Sequence, residues 1–295
     1  MTCSDFRLAL AAVLLGCLPA SGWPASDAAL PEVTVVAPKP PTAEQIAGDN
    51  VATFVKSHGN PGKRTGQLGR WDSAVCVSTQ GLSKGFTDFV STRVQAIAAA
   101  VNKGLRAAEG CTPNVLVIFT TQPQKLMDDV VKHKPQLLGF HYISEIPKIS
   151  TVDRPIQAWY VTGSRGRAGD LEVDDIWGDQ PSRTIGTRLS LGVSSHFIFV
   201  LVVVNTNQIT DYTIGSLSDY IGMLSLSQIQ LIDGCGPLPS ILDLMAAACN
   251  FDKSESITGG DIAYLKALYA INPRKELAMQ RSAIEDLMKQ EFAGR

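Results

Sequence analysis

The chain has 295 residues, 45% of them apolar and 18% charged, enough to bury one sizeable core with a small appendage. A formal net charge of -2 supplies no basic field, which argues against nucleic acid as a partner. No internal repeat or low-complexity tract divides the sequence.

Residues 1–25 read as an export signal. Arg7 precedes the apolar run Leu8 to Leu18, and Ala20, Ser21, Gly22 and Ala25 offer small-residue cleavage sites near Gly22 or Ala25. The run is short for a bilayer, so no transmembrane span is expected. A competing reading takes Leu14-Leu15-Gly16-Cys17 as similar to a lipoprotein signal with Cys17 as a lipid anchor, although Leu15 is bulky for that position. Residues 26–41 contain Pro31, Pro38, Pro40 and Pro41 and read as an extended linker. Inside it, Leu30-Pro-Glu-Val-Thr-Val-Val-Ala37 resembles the segment that outer-membrane receptors offer to TonB for strand pairing; the plainer reading is a β-prone tether.

A globular domain is expected over residues 42–272. Thr42 with Gln45 three residues on predicts a capped helix over 42–56, then a loop over 57–70 and a first strand over 71–78. Phe86, Phe89, Val90, Val94, Ile97, Val101 and Leu105 recur at helical spacing and predict a helix over 83–108. Residues 114–120 are apolar almost throughout, as a strand covered on both faces must be. Strand, helix and strand imply a right-handed crossover.

Residues 121–134 read as a helix capped by Thr121 with Pro123 in its first turn. Residues 140–155 read as a loop, and 156–162 as a strand. The polar stretch 163–187 holds Arg165, Arg167, Asp170, Glu172, Asp174, Asp175 and Asp179, and is expected to be a solvated loop. Calcium is the competing reading, without the spacing of a helix-loop-helix site. A valine- and phenylalanine-rich strand over 196–204 and a turn over 205–212 follow. From Pro273 to the end, residues 273–295 suggest an amphipathic helix with Leu277, Ile284, Leu287 and Met288 on one side, facing either the domain or a partner.

Cys3 and Cys17 fall in the signal, leaving Cys76, Cys111, Cys235 and Cys249, an even number suited to an oxidising compartment. Of the three pairings, Cys76 with Cys111 and Cys235 with Cys249 is favoured, because each pair flanks one local unit. The second bridge closes a loop of about fifteen residues, worth roughly 3 kcal/mol by the chain-entropy estimate. A four-cysteine zinc site lacks any Cys-x-x-Cys spacing.

The stretch Ser218 to Gln228 is the most distinctive. Leu217, Tyr220, Ile221, Leu224 and Ile229 predict a buried helix, while Ser218, Gly222 and Ser225 make a small face with Gln228 one turn on. In length and apolar filling the run resembles the metzincin pattern His-Glu-x-x-His-x-x-Gly-x-x-His. Ser218, Gly222 and Gln228 stand at the three histidines, Asp219 at the glutamate and Ser225 at the glycine. Downstream, Leu238-Pro-Ser-Ile-Leu-Asp243 is similar to the metzincin Met-turn, with Leu242 in place of methionine. Ile257 to Tyr269 is similar to the capped C-terminal helix of many metzincins. The chain also resembles a bacterial family of secreted metzincin-related domains. The resemblance implies an α+β fold: a twisted mixed sheet backed by helices, with a central helix that carries a vestigial site made of Ser218, Asp219, Gly222, Ser225 and Gln228.

Those substitutions remove zinc chemistry from that helix, since Ser218 and Gly222 offer no nitrogen and Gln228 is a poor ligand. No catalytic residue, metal or cofactor is therefore expected. The four histidines, His58, His133, His141 and His196, show no helical pair spacing and read as satisfied surface or core residues. Ser216 precedes Asp219 in a Ser-x-x-Asp arrangement, which reads as a helix cap. Gly-x-Ser-x-Gly and phosphate-loop patterns are absent. The small face is expected to allow close approach of helix and sheet; the competing reading is an open cleft that holds a peptide at the sheet edge. Together these readings give a periplasmic or secreted, non-catalytic domain that binds a peptide, a protein or an envelope component. The alternatives are a hydrolase that uses Asp219 with a distant histidine, and a structural lipoprotein held through Cys17.

Overall fold

A computed structural model describes residues 41–47, 49–166, 169, 171–174, 191–229, 234–246, 249 and 253–294. The signal, the linker, Cys17 and the TonB-like segment lie outside the described residues, as do Arg167, Asp170, Asp175 and Asp179. In chain order the elements are α1 (Asn50–His58), β1 (Val77–Gln80), α2 (Lys84–Val101), β2 (Val115–Thr120), α3 (Pro123–His133), α4 (Ile146–Ile149), β3 (Ile156–Arg165), β4 (Leu171–Val173), β5 (Ser194–Asn205), α5 (Ile214–Leu226), α6 (Gly259–Ala270) and α7 (Leu277–Ala293).

The two most apolar strands, β2 and β5, occupy the middle of a five-stranded mixed sheet of order β1-β2-β5-β3-β4. β1, β2 and β5 run parallel, β3 is antiparallel to β5, and β4 is antiparallel to β3. Side chains alternate across this sheet. Val115, Val117, Phe119, Val200, Val202 and Val204 face a large core shared with α1, α2, α5, α6 and α7. Leu116, Ile118, Leu201 and Val203 face a thinner layer made by Met127 and Val130 of α3 with Leu137 and Leu138. Both faces are thus covered, which is why these strands carry no polar alternation. The expected α+β class with a mixed sheet and backing helices is what the chain forms.

Several boundaries differ from expectation, each for a local reason. Thr42 and Gln45 do bond reciprocally, but they close an isolated turn, and the helix starts only at Asn50. Residues 71–76 are not strand: the Trp71 N–H bonds to the Tyr269 hydroxyl and the Val75 N–H to the Leu105 carbonyl, so pairing begins at Val77. α2 stops at Val101 because Asn102 is extended and its side chain accepts from Gly104 N, starting a separate short turn. The N-cap position of α3 is Gln122 rather than Thr121, and its side chain makes no cap bond. The loop over 140–155 contains a helical turn and α4.

The stretch read as a solvated loop begins inside the sheet. β3 continues to Arg165, and Asp174 is 5% exposed, accepting from the Thr162 and Ser164 hydroxyls at 2.7 and 2.8 Å. α7 lies against the domain, with Ile284, Met288 and Phe292 in the large core. Its Gln280 bonds to Leu68 N and to the Pro273 and Lys275 carbonyls. Cys76 and Cys111 form a disulfide with Cα atoms 6.0 Å apart, and Cys235 and Cys249 one with Cα atoms 5.3 Å apart. No described helix is long and apolar enough to cross a membrane.

Candidate functional site

α5 is where the sequence placed the site, and every residue from Ser216 to Leu226 in it is buried. A helix enclosed on all sides has to satisfy its own polar groups. Its N-cap is Thr213, whose hydroxyl accepts from Ser216 N at 3.1 Å, which corrects the reading of Ser216 and Asp219 as the cap. Asp219 instead faces α2. Its Oδ1 accepts from Arg93 Nε at 2.6 Å, and its Oδ2 from Arg93 Nη2 at 3.0 Å and from Ile257 N at 2.9 Å. The carboxylate is thereby engaged on both oxygens by a guanidinium fork and a backbone donor.

The small face packs helix on helix rather than helix on sheet, a second correction. A Cβ built on Gly222 would stand 2.8 Å from the Ile97 Cδ1 of α2. Ser218 is fully buried, and its hydroxyl donates to the Ile214 carbonyl at 2.6 Å. Ser225 is fully buried with its hydroxyl unpaired. Only Gln228, beyond the helix end, reaches a groove. The five residues grouped by the sequence therefore do not converge: Asp219 and Gly222 meet α2, and Gln228 lies apart from them. Among the described residues, no three His, Cys, Asp or Glu side chains come together in a way that could hold a metal ion.

The C-terminal end of α5 is held by side chains that the sequence did not flag. Its last carbonyls lack helical donors. The Trp71 indole donates to Ser225 O at 2.8 Å, the Tyr160 hydroxyl bonds to Leu224 O at 2.8 Å and Ser227 O at 3.1 Å, and the Tyr269 hydroxyl donates to Leu226 O at 2.8 Å. Burial pushes the Tyr160 and Tyr269 hydroxyls well above the usual tyrosine value, so they remain donors.

His58 and His196 are each buried in a polar cluster. His58 is 3% exposed, with Nδ1 2.9 Å from the Phe54 carbonyl and Nε2 3.2 Å from the Ser240 hydroxyl. Ser240 donates to Asp261 Oδ1 at 2.6 Å, and Asp261 also accepts from Ile241 N and Thr258 N. The carboxylate thus holds the serine, not the imidazole Nδ1, so the trio does not form a charge-stabilised nucleophile. It ties the Ile241–Met245 turn, the start of α6 and the end of α1 together.

In the second cluster, Ser194 Oγ stands 2.8 Å from His196 Nε2, and His196 Nδ1 lies 3.4 Å from Asp72. Here the order of atoms is that of a triad, but Arg165 takes Asp72 at 2.6 Å and Ser194 is 1% exposed. Burial, with Arg70, Arg165 and Arg274 nearby, holds His196 below the usual histidine value despite Asp72.

A further concavity is a groove of about 260 Å³ beside β3, lined by Gly62, Lys63, Phe140, His141, Tyr160 and Gln228 among others. His141 is 3% exposed; its Nδ1 lies 2.6 Å from the Gly139 carbonyl and its Nε2 has no partner, nor has Gln228 Oε1. The groove walls are fixed by the Lys63–Glu145 pair at 2.6 Å and by the Arg64 guanidinium 5.3 Å over the Phe140 ring. A wider trough beside the Cys76–Cys111 bridge contains no such unpaired side-chain atoms. The sequence reading took His141 for a satisfied residue; the fold instead buries it with Nε2 unpaired, which no local pattern signals. No family model, no curated protein and no solved structure matches the chain.

Proposed function

We propose that this protein is an exported, non-catalytic binding module with a metzincin-like scaffold, acting on a peptide, protein or envelope component outside the cytoplasm. One observation carries the reading: Asp219, which stands at the position of the general base, is spent on Arg93 and Ile257 N, while Gly222 is used to bring α5 against α2. The strand-helix-strand start (β1, α2, β2), a buried helix directly after the valine-rich β5, and the turn Ile241–Met245 packed beneath that helix support the scaffold part. Two disulfides support export, because such bonds persist in oxidising compartments.

A pooled library of quenched fluorescent peptides, incubated with the purified protein with and without added zinc, tests the reading. The expected result is no turnover in either condition. Turnover that disappears in Asp219→Asn would replace this reading with the hydrolase that uses Asp219.

A further inference from the structure

We infer that the groove beside β3 is the ligand site, and that its ligand is an extended, uncharged peptide segment of a partner protein. One peptide amide would sit between His141 and Gln228, and a neighbouring apolar side chain would lie against Phe140 and Tyr142. This rests on the non-catalytic binding reading above and adds a place and a ligand chemistry to it.

The chemistry of the floor comes from hydrogen-bond bookkeeping. A carbonyl can only accept, so the 2.6 Å contact with Gly139 O makes His141 Nδ1 the donor and leaves Nε2 of the neutral ring as an acceptor. Gln228 Oε1 is a second unpaired acceptor on the same groove, and with its amide reversed it presents a donor instead. A buried polar atom left unpaired costs about 1 to 3 kcal/mol. With the amide reversed, one peptide unit satisfies both groups, its N–H donating to His141 Nε2 and its C=O accepting from the Gln228 amide.

Charge and size narrow the ligand further. Lys63 on the wall is already neutralised by Glu145, so the groove does not call for an anion. A volume of about 260 Å³ lies below the ~300–1,000 Å³ typical of cofactor and drug-sized sites, and suits one or two side chains.

The rim supplies the apolar part. Tyr142 is 66% and Ile143 63% exposed, the largest exposures among the large apolar residues described, and they follow directly on His141. Tyr142 packs edge-on against Phe140, with ring centroids 6.0 Å apart. Adjacent exposed aromatic and aliphatic side chains beside a polar-floored groove are the usual anchor of a recognition surface.

Panning a phage library of random linear dodecapeptides on the disulfide-bonded protein tests this, with fluorescence anisotropy of a synthetic copy of an enriched peptide. The expected result is an enriched, apolar-containing peptide whose affinity drops at least tenfold in Gln228→Met and in the double variant Tyr142→Ser/Ile143→Ser. The rim residues are solvent-exposed, so that variant keeps the wild-type unfolding midpoint; His141→Leu is expected to lose affinity to the same extent. Failure to enrich any peptide, or wild-type affinity in these variants, overturns the groove assignment. Mass spectrometry of the incubated peptide separates this outcome from the parent reading. An intact peptide leaves the non-catalytic reading standing even if it binds elsewhere, and a cleaved one overturns that reading whatever the groove variants do.

Discussion

Asp219 joins two helices and a loop through one carboxylate, and at 1% exposure it has no water to fall back on. Removing one partner of a buried pair leaves the other charge uncompensated, a loss of about 3 to 5 kcal/mol. Asp219→Asn is therefore expected to lower the urea unfolding free energy by that order. Arg93→Leu/Asp219→Leu should cost clearly less than the sum of its single changes, and a double-mutant cycle would measure the difference. Gly222→Ala places a methyl 2.8 Å from the flexible end of Ile97. A destabilisation of about 1 to 2 kcal/mol is expected, recovered in part by Ile97→Val, with thermal unfolding as the readout.

The His58 cluster gives a prediction in pH. Burial lowers the His58 imidazole to about 4, opposed by the Phe54 carbonyl. The unfolded chain, at about 6.5, then holds the extra proton, so the contribution of His58 is full above about 6.5 and lost as pH falls towards 4. Asp261 runs the other way: burial lifts its carboxyl from 3.8 to about 6 against its donors, so its contribution is full below 3.8 and lost as pH rises through about 6. The two slopes oppose each other between pH 4 and 6, and the wild type should be flat there. His58→Gln should become less stable as pH rises across that window, and Asp261→Asn more stable, as read from urea midpoints at pH 4.5 and 6. Of all this, the sequence showed a buried helix with a small face at Ser218, Gly222 and Ser225, and it read Asp219 as a cap. That Asp219 and His58 are buried against Arg93 and Asp261 depends on residues 126 and 203 positions away, which no local pattern encodes.

At the scale of elements, legibility followed periodicity. α2, β2, β5 and α7 were readable because each repeats its apolar residues over many positions. β4 has only three residues and gives no such signal, and its strand character comes from pairing with Gly163–Arg165. Ends were set by partners rather than by propensity, as with the three aromatic side chains that close α5. Around Gly234–Ala246, the Cys235–Cys249 bridge is joined by a capping box between Ser240 and Asp243 and by the Lys253 ammonium on the Ala246 carbonyl. Cys235→Ser/Cys249→Ser is thus expected to cost roughly 3 kcal/mol. The loss should leave β-sheet circular dichroism intact while proteolysis begins within that segment.

At the scale of the molecule, the class of fold was legible because two long apolar runs demand a sheet covered on both faces, and the intervening helices supply the cover. The candidate site was only partly legible. Gln228 was in view, but the groove it shares with His141 forms where four separate segments meet, and composition says nothing about such meetings. The pattern that drew attention to α5 now describes how the core is closed.

Gly139 carries one last consequence. With φ at 75°, it lets the chain press onto the outer side of β3, where any Cβ would stand 2.0 Å from the Tyr160 carbonyl. β4 covers only the far end of that strand. A side chain at 139 would lift this cover and leave a long row of backbone groups free to zip onto the same row of another molecule. Gly139→Val should accordingly raise thioflavin fluorescence above that of the wild type at equal concentration, and unchanged fluorescence would show that the edge stays covered.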